Sequence, residues 1–155
     1  MKKTQQGFSL NELMIVIVIL GILGSLGAYS WQRYVNNSNL RTAAREVMSD
    51  IASCKQKAVS EGAEYCLQFS DGSSIYSINT PSCSAPTRTE QKDVVTFGAG
   101  LTISGTNFTM DRVAFKTRGT LDGSTGDITL RNGRCSTAQI TVNITGRTYV
   151  AFTMQ

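Results

Sequence analysis

Apolar and polar positions divide this chain into three textures. From Phe8 to Ala28 the run is apolar except at Ser9, Asn11, Glu12 and Ser25. Wound as an α-helix, this stretch rises roughly 31 Å, the thickness of a bilayer's hydrocarbon core, and it predicts a membrane-spanning helix. Further on, Leu40, Ala43, Ala44, Val47, Ile51, Cys54 and Ala58 recur at the spacing of one helical face, while Arg41, Arg45, Glu46, Asp50, Lys55 and Lys57 fall largely elsewhere. Gly62 stands just past this stripe as a helix stop. The pattern predicts one long helix from about Phe8 to Ser60, bare in its first half and packed in its second.

After Gly62 the period changes to that of strands. They are predicted at Tyr65–Ser70, Ser74–Asn79, Val94–Phe97, Leu101–Ile103, Phe108–Met110, Val113–Phe115, Asp127–Arg131, Gln139–Ile144 and Thr148–Thr153. Asp71-Gly72 supplies a hairpin turn between the first two, and Thr145-Gly146-Arg147 joins the last two. Ser82–Lys92 (SCSAPTRTEQK) reads as an exposed loop. The fold class expected is α+β, a long N-terminal helix packed on a mainly antiparallel β-sheet. The expected organisation is a leader at 1–7, a transmembrane helix at 8–30, and a globular domain at 31–155 that begins with the helical segment 31–60.

The leader Met1–Gly7 (MKKTQQG) is short, polar and basic. Lys2 and Lys3 would hold it on the cytoplasmic side, which places everything after Ala28 outside. An ordinary secretory signal would be cut after the apolar run. Glu12 argues for something else. A carboxylate in an apolar helix costs on the order of 2.5–3.5 kcal/mol on insertion scales and needs a partner. A cut between Gly7 and Phe8 creates an α-amino group, protonated below a pKa of roughly 8, which a neighbouring copy would offer to Glu12. The buried charge then becomes a docking device, because an unpaired ion is penalised and a paired one tolerated.

The stretch Gly7-Phe8-Ser9-Leu10-Asn11-Glu12-Leu13-Met14 resembles the class III signal of type IV pilins and type II secretion pseudopilins. The resemblance implies cleavage after Gly7 by a prepilin peptidase, N-methylation of Phe8, and assembly with other pilins or pseudopilins through Glu12. Asn11 replaces the family's usual apolar residue, and Tyr29 stands where major pilins commonly have proline. Both departures fit a minor subunit better than an abundant fibre-forming one. In the second half, Phe115-Lys-Thr-Arg-Gly119, Gly126-Asp-Ile-Thr-Leu130 and Ile140-Thr-Val-Asn-Ile-Thr-Gly-Arg147 are similar to the C-terminal pattern of the GspH/FimT-type domain. That domain occurs in minor pilins, in the minor pseudopilin of type II secretion, and in a pilin-like DNA receptor for transformation. The resemblance implies a non-enzymatic subunit of the bacterial inner membrane and its pilus, with a periplasmic domain. Its leading role would be to initiate or cap a type IV pilus, with the pseudopilin and DNA-receptor roles as alternatives.

Composition narrows the chemistry. The chain has no histidine, the commonest general base and zinc ligand. It contains no GxSxG, SxxK or HExxH motif, and it is read as non-enzymatic, without cofactor or metal. Asp122-Gly-Ser-Thr-Gly-Asp127 superficially resembles a calcium loop but lacks its spacing and reads as a solvated turn. The net charge of +4 falls to about +2 once Lys2 and Lys3 are removed, too little to name a partner. Four cysteines, Cys54, Cys66, Cys83 and Cys135, suit two disulfides in an exported protein. Three pairings are open, with Cys54–Cys66 and Cys83–Cys135 preferred. Between Arg112 and Arg147 lie Arg112, Lys116, Arg118, Arg131, Arg134 and Arg147 against Asp122 and Asp127. Gathered on one face, these cations would bind DNA phosphates. DNA-receptor relatives end in Gly-Arg-x-Arg, and Gly146-Arg147-Thr148-Tyr149 lacks the second arginine.

Overall fold

The computed structural model describes residues 9–155, apart from the side chains of 26–29. Helix α1 runs from Leu10 to Glu61 and stops at Gly62, whose φ of +62° is the left-handed conformation that closes helices. By length and composition it is able to cross a membrane: an 18-residue window reaches a mean hydropathy of 2.3 with none of it buried. Two compact units divide at Val35 and Asn36; the sequence pattern had set the boundary at residues 30 and 31. In the unit beginning at Asn36, the stripe Leu40, Ala43, Ala44, Val47, Ile51, Cys54 and Ala58 is buried as the helical spacing requires.

Eight strands follow: β1 (Tyr65–Gln68), β2 (Ile75–Thr80), β3 (Arg88–Asp93), β4 (Thr102–Thr106), β5 (Arg112–Phe115), β6 (Gly126–Arg131), β7 (Thr137–Val142) and β8 (Thr148–Thr153). They form two four-stranded antiparallel sheets, ordered β3-β2-β1-β5 and β4-β6-β7-β8. Alternation sends Val113 and Phe115, Ile128 and Leu130, and Ala138, Ile140 and Val142 into one core with the helix stripe. The α+β architecture, with one long helix on antiparallel sheet, is therefore the one the pattern predicts.

Three local expectations need correction. Residues 88–92, expected as part of a loop, pair with β2 from Thr80↔Arg88 to Ile75↔Asp93. Their side chains are mostly exposed, so backbone pairing forms this strand without an apolar face to announce it. Val94–Phe97, expected as a strand, is a 3₁₀ turn whose first free amide, on Val95, is capped by the Asp93 carboxylate at 2.9 Å. Phe108–Met110, expected as a strand, leads into a tight left-handed turn, with φ of +60° at Met110 and +53° at Asp111, closed by the Asp111 N–H donating to the Phe108 carbonyl at 3.1 Å.

The β6–β7 turn, and through it Gln155, is tied to the helix. Asn132 Nδ2 and Ser136 Oγ donate to Asn37 Oδ1 at 3.2 and 2.9 Å, and the Gln155 N–H donates to Ser136 Oγ at 3.0 Å. Asn132 and Ser136 are buried, so each of these bonds satisfies a group that would otherwise be costly.

Candidate functional site

Gly7 and Phe8, the expected cleavage and methylation positions, lie outside the described residues. Glu12 is described. Ser9 precedes the first helical residue, and both its carbonyl and its Oγ accept from the Glu12 N–H, at 3.1 and 3.3 Å. Ser9 is thus the N-cap of α1, and Glu12 sits in the first turn, where the helix dipole favours a carboxylate. The spacing Ser9-x-x-Glu12 is that of a capping box, a signal readable in the sequence that the charge argument for Glu12 passed over. The Glu12 side chain and the apolar side chains from Leu10 to Leu23 are exposed. This segment of α1 presents a bare apolar surface with one carboxylate near its start.

The cysteines pair differently from the preferred arrangement. Cys66 is bonded to Cys83, with Cα atoms 5.5 Å apart, while Cys54 and Cys135 are free. The ladder explains the choice. Cys66 lies opposite Asn79 at the end of β2, so the chain leaving β2 carries Cys83 back over β1. Cys135 is exposed in the turn between β6 and β7 of the other sheet. Cys54 faces the core, where burial, and secondarily the charge of Asp50, push its thiol up to about 12. It is an inert packing residue.

The six cations from Arg112 to Arg147 are not brought together on one face. Arg131 ends β6 and Arg134 lies in the β6–β7 turn, and Arg131 donates to Cys135 Sγ at 2.9 Å. Arg147 lies at the β7–β8 turn, the other end of the same ladder, a strand length of roughly 20 Å away. Arg118 joins that second group. Its neighbour Gly119 abuts Val59 and Lys55 of α1, and Gly146 abuts Lys55, Phe115 and Gly119, leaving no room at either position for a side chain. Lys116 is paired with Asp122 at 3.0 Å, and Arg112 begins β5, at the opposite end of that strand. The loop from Asp122 to Asp127 spends its acids locally, on Lys116 and, at 2.5 Å, on the Thr141 hydroxyl.

One polar cluster had no signal beyond its residue types. Asp50, almost fully buried, accepts from the Tyr76 hydroxyl of β2 and from Lys92 Nζ of β3 at 2.6 Å, with Glu46 a further 4.0 Å ion-pair partner of Lys92. The bond to Asp50 raises the Lys92 pKa; burial, then the same carboxylate, raises that of Tyr76. This clip holds β2 and the edge strand β3 of the first sheet to one flank of α1. Among the described residues no group of three metal-ligating side chains occurs.

Two family models match the chain: the prokaryotic N-terminal methylation motif over residues 2–28, and the type II transport protein GspH over residues 43–146. A fimbrial protein of Pseudomonas aeruginosa is 39% identical over 62 residues, 40% of each chain. A probable minor fimbrial protein of Dichelobacter nodosus is 33% identical over 85 residues, 48% of this chain and 51% of that one. The chain thus spans about half or less of the length of these relatives. In fold it is similar to the type IV minor pilin FimU of Pseudomonas aeruginosa, with a TM-score of 0.57 and 19% identity over 76% of this chain and 92% of that one. It is equally similar to the minor pseudopilin EpsH of the Vibrio cholerae type 2 secretion system, with a TM-score of 0.58 and 8% identity over 74% and 97%. With a methylation motif leading into α1 and the GspH model covering most of the helix-on-sheet unit, this chain belongs to the GspH family of minor pilin- and pseudopilin-like proteins.

Proposed function

We propose that this chain is a minor pilin, a non-enzymatic subunit that initiates or caps a type IV pilus. A prepilin peptidase would cut it after Gly7 and methylate Phe8. Residues 8–30 would then anchor it in the bacterial inner membrane, with the domain in the periplasm. During assembly the new Phe8 amine of one subunit meets Glu12 of its neighbour, because desolvation penalises either ion alone.

The observation that carries the pilus reading is the match to the probable minor fimbrial protein. At 48% of this chain's 155 residues, or about 74, it is longer than leader and α1 together, so it reaches into the β-sheet part of the domain and not only the shared N-terminus. A role as minor pseudopilin is the second reading, favoured by the description of the matching domain as a type II transport protein. The DNA-receptor alternative ranks below both, because the cations it calls on are divided between separate ends of the fold.

Mass spectrometry of the assembled protein tests the processing: a mature chain beginning at methylated Phe8 is expected, and an intact Met1 refutes it. Glu12→Leu is expected to leave the subunit membrane-inserted and folded but largely missing from purified pili; wild-type incorporation would refute the docking role. Deleting the chain should reduce surface pili. Intact pili together with lost protein secretion would assign it to the secretion machine.

A further inference from the structure

The edge of a β-sheet is a row of unpaired backbone N–H and C=O groups, which folded proteins guard with charge, bulges or cover. Three of the four edges here are guarded. β3 carries Arg88, Glu90, Lys92 and Asp93. β4 is bulged between Ile103 and Gly105, and the outward groups of Ile103 bond to the Gly72 N–H and the Ser73 carbonyl. β5 is covered by the returning chain, where Leu121 bridges Phe115 and the Asp122 N–H donates to the Ala114 carbonyl. β8 has none of these devices. Thr148-Tyr-Val-Ala-Phe-Thr153 holds no charge and no proline, pairs with β7 without a bulge, and bonds through its backbone to nothing else among the described residues.

Alongside this edge runs a strip of cations. The Arg41 guanidinium lies over the Phe152 ring, 5.8 Å from its centroid, which fixes the flank of α1 that faces β8. Helical spacing places Arg45, Met48, Ala52 and Lys55 on the same flank. Lys55 Nζ, donating to the Thr145 carbonyl at 2.8 Å, marks its far end. The nearby acids of α1, Glu46 and Asp50, belong to the opposite flank, where Lys92 holds them. Arg41 and Arg45 are exposed and form no salt bridge among the described residues.

We propose that the trough between the open edge of β8 and the Arg41–Lys55 flank of α1 receives an extended, carboxylate-bearing segment of a neighbouring filament subunit, added to the second sheet as a further strand. The backbone ladder supplies the affinity, and alternate side chains supply the selection. On the helix side, where Val150 and Phe152 are half-buried, carboxylates of the incoming strand meet Arg41 and Arg45. On the other side its residues lie beside Tyr149, Ala151 and Thr153. A DNA backbone would satisfy the cations but leave the strand edge unpaired. A second copy docking β8 on β8 would bring no carboxylate to meet the arginines. The inference rests on the filament-subunit reading above.

Hydrogen–deuterium exchange on the full chain, in detergent and in purified filaments, tests it. The peptide covering β8 should contain amides that exchange freely in detergent and at least about tenfold more slowly in filaments. Benzoylphenylalanine at Ala151 should cross-link in filaments to an Asp- or Glu-containing segment of another subunit. Arg41→Glu with Arg45→Glu should abolish the cross-link, and the paired lysine substitutions should keep it. Loss of the double variant from filaments, with Cys54 still shielded from thiol reagents, counts in the same direction. Unchanged β8 exchange in filaments, a cross-link to β8 of a second copy, or equal protection by duplex DNA in detergent overturns the proposal. A chain absent from all filaments refutes the filament reading as well; a chain present there with β8 unprotected refutes this inference alone.

Discussion

Replacing Asp50 by alanine should be among the most damaging single changes in the domain, and its cost can be worked from its partners. The Tyr76 hydroxyl, on a residue only 2% exposed, loses its acceptor and is left orphaned, at about 1–3 kcal/mol. Lys92 loses a charge-assisted bond, but its side chain is 31% exposed and can return to water, so about 1 kcal/mol is a fair share. The sum is about 2–4 kcal/mol. With a urea m-value of roughly 2 kcal/mol/M, the midpoint should fall by about 1–2 M for the unit from Asn36 to Gln155, followed by circular dichroism. The signature that separates this argument from simple loss of packing is a rescue. Adding Tyr76→Phe removes the orphaned hydroxyl, so Asp50→Ala with Tyr76→Phe should be more stable than Asp50→Ala alone. A single-mutant cost below about 1 kcal/mol, or no recovery in the double mutant, would refute the reasoning.

Three further outcomes concern the cysteines, the Tyr76 hydroxyl and the Lys92 ammonium. A thiol reagent should label Cys135 alone in the native protein and Cys54 as well only after unfolding; reducing the Cys66–Cys83 bond, which spans a sequence separation of 17, should cost about 3 kcal/mol. Stability should hold up to about pH 9 and then decline, because Cys54, raised from 9.0 to about 12, keeps in the folded state a proton that the unfolded chain releases. The raised Tyr76 and Lys92 extend the loss at higher pH, and Cys54→Ala should remove its earliest part, by up to about 1.4 kcal/mol per pH unit. A flat profile from pH 9 to 11 in urea titrations would contradict this.

What the sequence made legible was whatever depends on a residue's own period. The buried stripe of α1, its stop at Gly62 and most inward-facing strand residues follow from side-chain spacing alone. Features set by a neighbour were not. β3 is a strand because β2 offers it a ladder, although Arg88, Glu90 and Lys92 look like loop residues. Cys66 meets Cys83 because of the β1–β2 register, and the cations from Arg112 to Arg147 separate because β6 and β7 put sequence neighbours at opposite ends.

The charged residues of α1 show the same limit and what lies beyond it. In sequence, helical spacing already sets Arg41, Arg45 and Lys55 apart from Glu46 and Asp50, but it gives neither group a purpose. The fold places the two groups on flanks either side of the buried stripe. On one flank, Glu46 and Asp50 are used internally, to hold β2 and β3. On the other, Arg41 and Arg45 remain without an acid among the described residues, beside the only strand edge there that carries no guard. Folding alone does not require both exceptions to occur at one place. A helix whose acidic flank completes its own domain, and whose basic flank is left open along a bare strand, is built to have its remaining partner arrive from another chain.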